Sequence, residues 1–191
     1  MSSNLSPLIA PGKIVLTYDD YCALPNDRNR YEILDGELSV TPAPATKHQI
    51  ALGNLYRILS IHVVANRIGR LLLAPTDLIL AATTVVQPDL IFIASDRSQV
   101  VTLRGVEGAP TLVVEILSPT TQTNDRQMKA QLYAKYAVPH YWIIDPDKET
   151  LQAYALAGTQ YNLVSQAQSG DPFTTTAVFP GLSFQISDLW A

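Results

Sequence analysis

The sequence predicts an α/β domain spanning residues 1–191, and three observations predict it. Residues 111–119 read Thr-Leu-Val-Val-Glu-Ile-Leu-Ser-Pro, a short and almost wholly apolar run of the kind buried on both faces of a sheet. Residues 46–66 and 124–137 carry apolar side chains at the spacing of one helix face. Asp35-Gly36, set between residues 31–34 and 37–40, is a strong two-residue hairpin signal. Composition agrees: with 47% hydrophobic and 16% charged residues the chain reads as folded rather than disordered, and it is long enough for a substantial core.

Charge and cysteine content narrow the function classes. A formal net charge of −4 supplies no overall basic field to attract nucleic acid, although a local basic groove stays open. Cys22 is the sole cysteine, which excludes an intrachain disulfide and a cysteine-rich zinc site. The N-terminus lacks a charged segment followed by an apolar run, and no stretch of about 18 consecutive apolar residues occurs. A soluble, cytoplasmic protein without membrane association is expected.

In chain order, residues 1–12 hold serines, two prolines and a glycine, and are expected as a loose arm. Residues 13–16 are expected as a short edge strand. Thr17 can cap a brief helix through Leu24, with Asp19 and Asp20 in its first turn. Residues 25–30 form a polar connection to the hairpin, whose second strand ends at Pro42 and Pro44. Thr46 followed by Gln49 resembles a capping box for a helix running to about Asn66, with His48, Leu52, Leu55, Leu59 and Val63 along one stripe. Strands at residues 69–73, 77–81 and 89–93 form a meander towards the central strand. Residues 95–108 are polar and read as a loop with little regular structure. Beyond the second helix, residues 140–145 form another buried strand, closed by the Pro146-Asp147 turn. Residues 151–156 and 161–164 pair around Ala157-Gly158-Thr159, and a β-rich tail ends in Leu189-Trp190.

The candidate site starts from Glu115. A carboxylate in an apolar strand loses hydration and must be paired, protonated or bound to a metal. Alternation puts Leu112, Val114 and Ile116 on one face, and Val113, Glu115 and Leu117 on the other. Pro88-Asp89 before Leu-Ile-Phe-Ile93 places a second carboxylate at the mouth of another apolar strand. Two strands each delivering a carboxylate suit a hard divalent cation such as Mg²⁺. At about 100° per residue, the inward stripe of the second helix is Asp125, Met128, Lys129, Leu132 and Tyr136. An acid and a base four residues apart thus share the apolar face. Either they form a surface pair of ~0.3–0.5 kcal/mol, or Lys129 reaches the site holding Asp89 and Glu115. His48 has a core role or a substrate-contacting one. Tyr133, Tyr136, Tyr141 and Trp142 read as core packing rather than base-stacking platforms.

Tyr31-Glu-Ile-Leu-Asp-Gly-Glu37, His48, Pro88-Asp89, Val114-Glu115-Ile-Leu-Ser-Pro119, Asp125 with Lys129, and Pro139-His-Tyr-Trp-Ile-Ile-Asp145 together resemble the restriction-endonuclease-like family called Uma-two, a branch of the PD-(D/E)XK nuclease superfamily. Each piece alone is weak; the ordered set, over about residues 31–156, is specific. The resemblance implies a restriction-endonuclease-like core, a mixed central sheet flanked by helices with the site at the splayed end of a hairpin. It implies Asp89 and Glu115 as ligands of Mg²⁺ (or Mn²⁺), joined by the Ile116 carbonyl. The superfamily's lysine two residues after the glutamate is replaced here by Leu117, a departure. In this family the lysine looks to have moved to the next helix, where Lys129 stands. Asp125 would hold Lys129, and Glu32, Glu37 or Asp77 would supply a further metal contact or support the ligands. Glu37 is preferred among these because it directly follows the Asp-Gly turn.

The expected function is a Mg²⁺-dependent endonuclease hydrolysing phosphodiester bonds in DNA. A homodimer is expected, since cutting two strands needs two sites. A nucleic-acid-binding module on the same fold, with little or no catalysis, is the alternative that the acidic charge favours. Cleavage of RNA is a third reading.

Overall fold

The apolar run contributes a central strand of the larger sheet at Leu112–Ile116, and a buried cluster of described residues packs on each of its faces. The computed structural model describes residues 14–27, 29–41, 43–118, 124–175 and 177–191, without the side chains of residues 124–127. A short helix α1 (Tyr18–Cys22) precedes the hairpin β1 (Arg30–Leu34) and β2 (Glu37–Thr41). The long helix α2 (Thr46–Asn66) leads to β3 (Gly69–Leu73), β4 (Leu78–Ala81), β5 (Thr84–Val86) and β6 (Leu90–Ala94). A 3-10 helix (Ser95–Val100) and β7 (Val106–Glu107) come before β8 (Leu112–Ile116), α3 (Asn124–Lys135) and β9 (His140–Asp145). The hairpin β10 (Thr150–Ala157) and β11 (Gln160–Gln168), the pair β12 (Pro172–Thr175) and β13 (Leu182–Gln185), and a 3-10 turn (Ile186–Leu189) complete the chain.

The six-stranded sheet runs β11-β10-β9-β8-β6-β3. It is mixed: β8 and β9 are parallel, with α3 between them in sequence, and the other neighbours are antiparallel. A five-stranded sheet, β2-β1-β5-β4-β7, stands beside it. The period-2 reading of β8 holds on both faces. Leu112, Val114 and Ile116 pack with Leu52, Leu55, Leu59 and Val63 of α2 and with the C-terminal strands. Val113 joins Leu132 and Tyr133 of α3, together with Leu34, Leu78 and Val86 of the smaller sheet. Helices therefore flank the mixed sheet, and the predicted α2 stripe, His48 included, is buried. Each fully buried leucine of that stripe contributes about 1.5–3 kcal/mol of transfer free energy. No helix among the described residues is long and apolar enough to cross a membrane.

Several local expectations fail for identifiable reasons. The cap of α2 is Ala45, in extended conformation without a side-chain bond, so Thr46 already lies inside the helix and the Thr46–Gln49 box is not formed. Residues 14–16 form no strand, although the Leu16 N–H donates to the Gly36 carbonyl at 2.9 Å; Lys13 and the expected arm lie outside the described residues. α1 ends at Cys22, not Leu24. Within residues 95–108, expected to hold little regular structure, a 3-10 helix forms and β7 joins β4 in parallel register. That pairing comes from a remote strand, which local polarity does not reveal.

Candidate active site

The pairing of β6 with β8 sets Leu90 opposite Val114. Continuing that register by one residue brings Asp89 beside Glu115. The Ile116 N–H donates to Asp89 Oδ2 at 2.7 Å, which ties the two strand ends together. Arg30, at the start of β1, donates from Nη1 to Asp89 Oδ1 at 3.1 Å. His48, on the α2 stripe, lies with Nε2 3.1 Å from Asp89 Oδ2. An ionised carboxylate only accepts, so that nitrogen carries the hydrogen. Burial alone would raise the Asp89 pKa; the hydrogen bond and charge of His48, then Arg30 and the Ile116 amide, outweigh it and hold the carboxyl below its ordinary value.

Glu115 Oε1 accepts from Lys129 Nζ at 3.1 Å and from the Tyr133 hydroxyl at 2.6 Å. Lys129 Nζ also lies 3.1 Å from Glu32 Oε1, which accepts the Gln87 backbone N–H at 2.8 Å. Glu32, His48, Asp89, Glu115 and Lys129 are all buried. Burial disfavours the Lys129 ammonium, yet the negative charges of Glu115 and Glu32 prevail and raise its pKa. Burial pushes the Glu115 carboxyl up; Lys129 opposes this, while repulsion from Asp89 and Glu32 adds to it. Tyr133 is held well above an ordinary phenol by burial and by the Glu115 charge, so it remains a donor.

Asp89, Glu115, Lys129 and His48 are thus brought together by β6, β8, α3 and α2. Ile116 meets this cluster through its N–H to Asp89. Glu37 lies elsewhere: it is exposed beside a groove shared with Met128, Gln131 and Lys135. Of the two hairpin carboxylates, Glu32, mid-strand in β1, is the one that reaches the cluster, accepting from Lys129 and from the Gln87 amide. Asp77 is half-buried and accepts from the Tyr21 hydroxyl at 2.7 Å and from Gln87 Nε2 at 2.9 Å. It connects to the cluster through Gln87. The Asp125 side chain lies outside the described residues.

On α3, Met128 is 44% exposed rather than inward, and Lys129, Leu132 and Tyr133 form the buried stripe. Tyr133 was legible only as packing. Its position one turn after Lys129 is the available signal, because a buried phenol needs a hydrogen-bond partner. Arg30 falls in a polar connection that nothing in the sequence marks out. A cleft of about 810 Å³ opens beside the cluster, with Arg30, Asp89, Gln87, Asp77, Tyr21 and Tyr31 in its wall.

The donor set around Asp89 and Glu115 bears on the Mg²⁺ that the sequence resemblance implies. No group of three His, Cys, Asp or Glu among the described residues forms a metal-holding set. Mg²⁺, however, characteristically binds through one or two carboxylates and keeps water and phosphate oxygens in its other positions. A carboxylate offers about four acceptor positions. The bonds above use three on Asp89 and two on Glu115. This pair therefore fits a partly hydrated Mg²⁺ and does not form an all-protein cage.

A profile of the Uma2 family, described as "putative restriction endonuclease", matches residues 18–187. The chain belongs to the Uma2 family. A crystal structure from Anabaena variabilis ATCC 29413, described as a "putative nuclease" belonging to DUF820, superposes with a TM-score of 0.73 and 23% identity, covering 92% of this chain and 97% of that one. At that identity the likeness shows the fold, and the mixed sheet flanked by helices is a restriction-endonuclease-like core. No match was found among curated proteins. In this Uma2 chain, Leu117 packs half-buried against the cluster of Val113 and Tyr133. The lysine on Glu115 comes from α3 instead.

Proposed function

We propose that this Uma2 protein is a divalent-metal-dependent endonuclease that hydrolyses phosphodiester bonds in DNA, with Asp89 and Glu115 as the metal-holding pair. The observation that carries the reading is the convergence of two strand carboxylates and a helix-borne lysine in one buried cluster beside a cleft. Bound there, Mg²⁺ or Mn²⁺ would lower the pKa of a water molecule and offset charge on the scissile phosphate. Lys129, kept charged by its two carboxylate neighbours, orients the attacking water or stabilises charge gathering on the phosphate. Arg30, a quarter exposed at the cleft wall, is a cation within reach of a substrate phosphate. His48 and the Ile116 amide hold Asp89 in register with Glu115. A homodimer is part of the proposal, because severing a duplex needs two such clusters.

A second reading has one observation in its favour: the cluster carboxylates already face protein cations. A fold kept as a nucleic-acid-binding module would show this pattern.

The test is incubation of plasmid DNA, single-stranded DNA and RNA with the protein in Mg²⁺ or Mn²⁺, beside Asp89→Asn, Glu115→Gln and a chelator control. DNA cleavage lost in both folded variants and in chelator is expected. Cleavage of RNA alone would overturn the DNA assignment. Chelator-insensitive binding without cleavage of any substrate would replace the enzyme with the binding module.

A further inference from the structure

Tyr133 has no part in the chemistry above, yet its environment is not that of a packing residue alone. Its ring is fully buried against Tyr141, with centroids 5.4 Å apart, a role phenylalanine would fill as well. The hydroxyl, however, donates to Glu115 Oε1 at 2.6 Å. Lys129, one turn earlier on α3, places Nζ 3.1 Å from the same oxygen. One helix thus directs two donors at a single carboxylate oxygen. A carboxylate oxygen has two lone-pair positions, and these two bonds fill them. Oε1 is then closed to a cation, and coordination falls to Oε2.

We infer that Tyr133 is a positioning residue: with Lys129 it saturates Oε1 of Glu115, fixing the carboxylate's rotation so that Oε2 is the oxygen offered to a divalent ion. This rests on the reading of Asp89 and Glu115 as the metal pair. Without the hydroxyl, Oε1 regains an open position, the carboxylate can rotate, and a cation competes with Lys129 for the same oxygen. Partners that orient a metal ligand in this way typically govern metal affinity or activity by about 10–100-fold.

The test is calorimetric titration of Mn²⁺ into the full-length wild type, Tyr133→Phe and Glu115→Gln, each checked for folding by thermal melting. Tyr133→Phe keeps the ring and removes only the hydroxyl. The inference expects its Mn²⁺ affinity to fall by about 10–100-fold. Wild-type affinity in folded Tyr133→Phe, with binding lost in Glu115→Gln, overturns the role of Tyr133 and leaves the metal pair standing. Mn²⁺ binding that is absent, or indifferent to Glu115→Gln, overturns the metal pair and the inference together. Should Tyr133→Phe not fold, the wild type decides, at a Mg²⁺ concentration that competes with Mn²⁺: the hydroxyl proton of Tyr133, buried and bonded to Oε1, keeps its NMR signal in the metal-bound protein if Oε1 stays with α3. Its loss on adding Mg²⁺ overturns the inference.

Discussion

Asp89 is kept anionic by donors from three elements: His48 of α2, Arg30 of β1 and the Ile116 amide of β8. Its folded pKa lies below the unfolded value of about 3.9, so the folded state binds fewer protons there. The stabilisation is complete above the unfolded value and is lost as pH falls through the folded one. Melting midpoints of wild type and Asp89→Asn should therefore differ most above about pH 4 and converge in more acidic buffer. A gap independent of pH would show that the carboxylate's charge is not what stabilises. Lys129→Met removes the cation between Glu32 and Glu115 and leaves buried charge uncompensated, at a cost of about 3–5 kcal/mol in urea unfolding. Glu115 and Lys129 were legible in the sequence because a charge inside an apolar period stands out. Glu32 could be named only as one of three alternatives, behind Glu37: the two share a hairpin, and which of them is covered depends on Lys129 arriving from 97 residues along the chain.

At the scale of elements, α2 and the first hairpin show where sequence suffices. The 46–66 helix forms as its apolar period predicts, because Leu52, Leu55, Leu59 and Val63 share one covered face. Leu55→Ala should cost about 2–5 kcal/mol by urea unfolding. Val64→Ser, on the outward side at 74% exposure, should stay within about 0.5 kcal/mol. Equal losses would contradict the assigned stripe. The hairpin turn has positive φ at both Asp35 (49°) and Gly36 (88°), the primed-turn geometry that Asp-Gly announces. A Cβ at Gly36 would also stand 2.5 Å from Val15 Cγ1, so Gly36→Ala should be destabilising by more than about 1 kcal/mol. The start of α2 was misread because a threonine near a helix start signals a cap without fixing its register. The inward stripe of α3 was misread in part. Lys129 and Leu132 are covered as expected, but a short polar helix leaves the exact edge of its stripe to its neighbours, which cover Tyr133 and leave Met128 outside.

At the scale of the molecule, strand order is what the sequence withheld. The meander reading makes chain neighbours sheet neighbours, whereas β3 pairs with β6, and β4 and β5 belong to the other sheet. Those partners are chosen by the two cores, which no local pattern encodes. The consequence for function is that the cluster exists only when α2, β1, β6, β8 and α3 are all in place, so it reports on the whole fold. A single chain carries one such cluster among its described residues. A monomer should therefore nick supercoiled plasmid, whereas a dimer should give linear product without nicked circles building up first; sedimentation of the active protein at the mass of one chain would argue against the dimer.

Whether Asp89 and Glu115 hold a divalent metal is decided by thermal melting of wild type and Glu115→Gln across a Mg²⁺ or Mn²⁺ titration. A ligand that binds only the folded state raises the midpoint by mass action. The wild-type midpoint should rise with metal concentration while that of Glu115→Gln stays flat. A rise of the same size in both proteins, or no rise in wild type, would contradict the metal site.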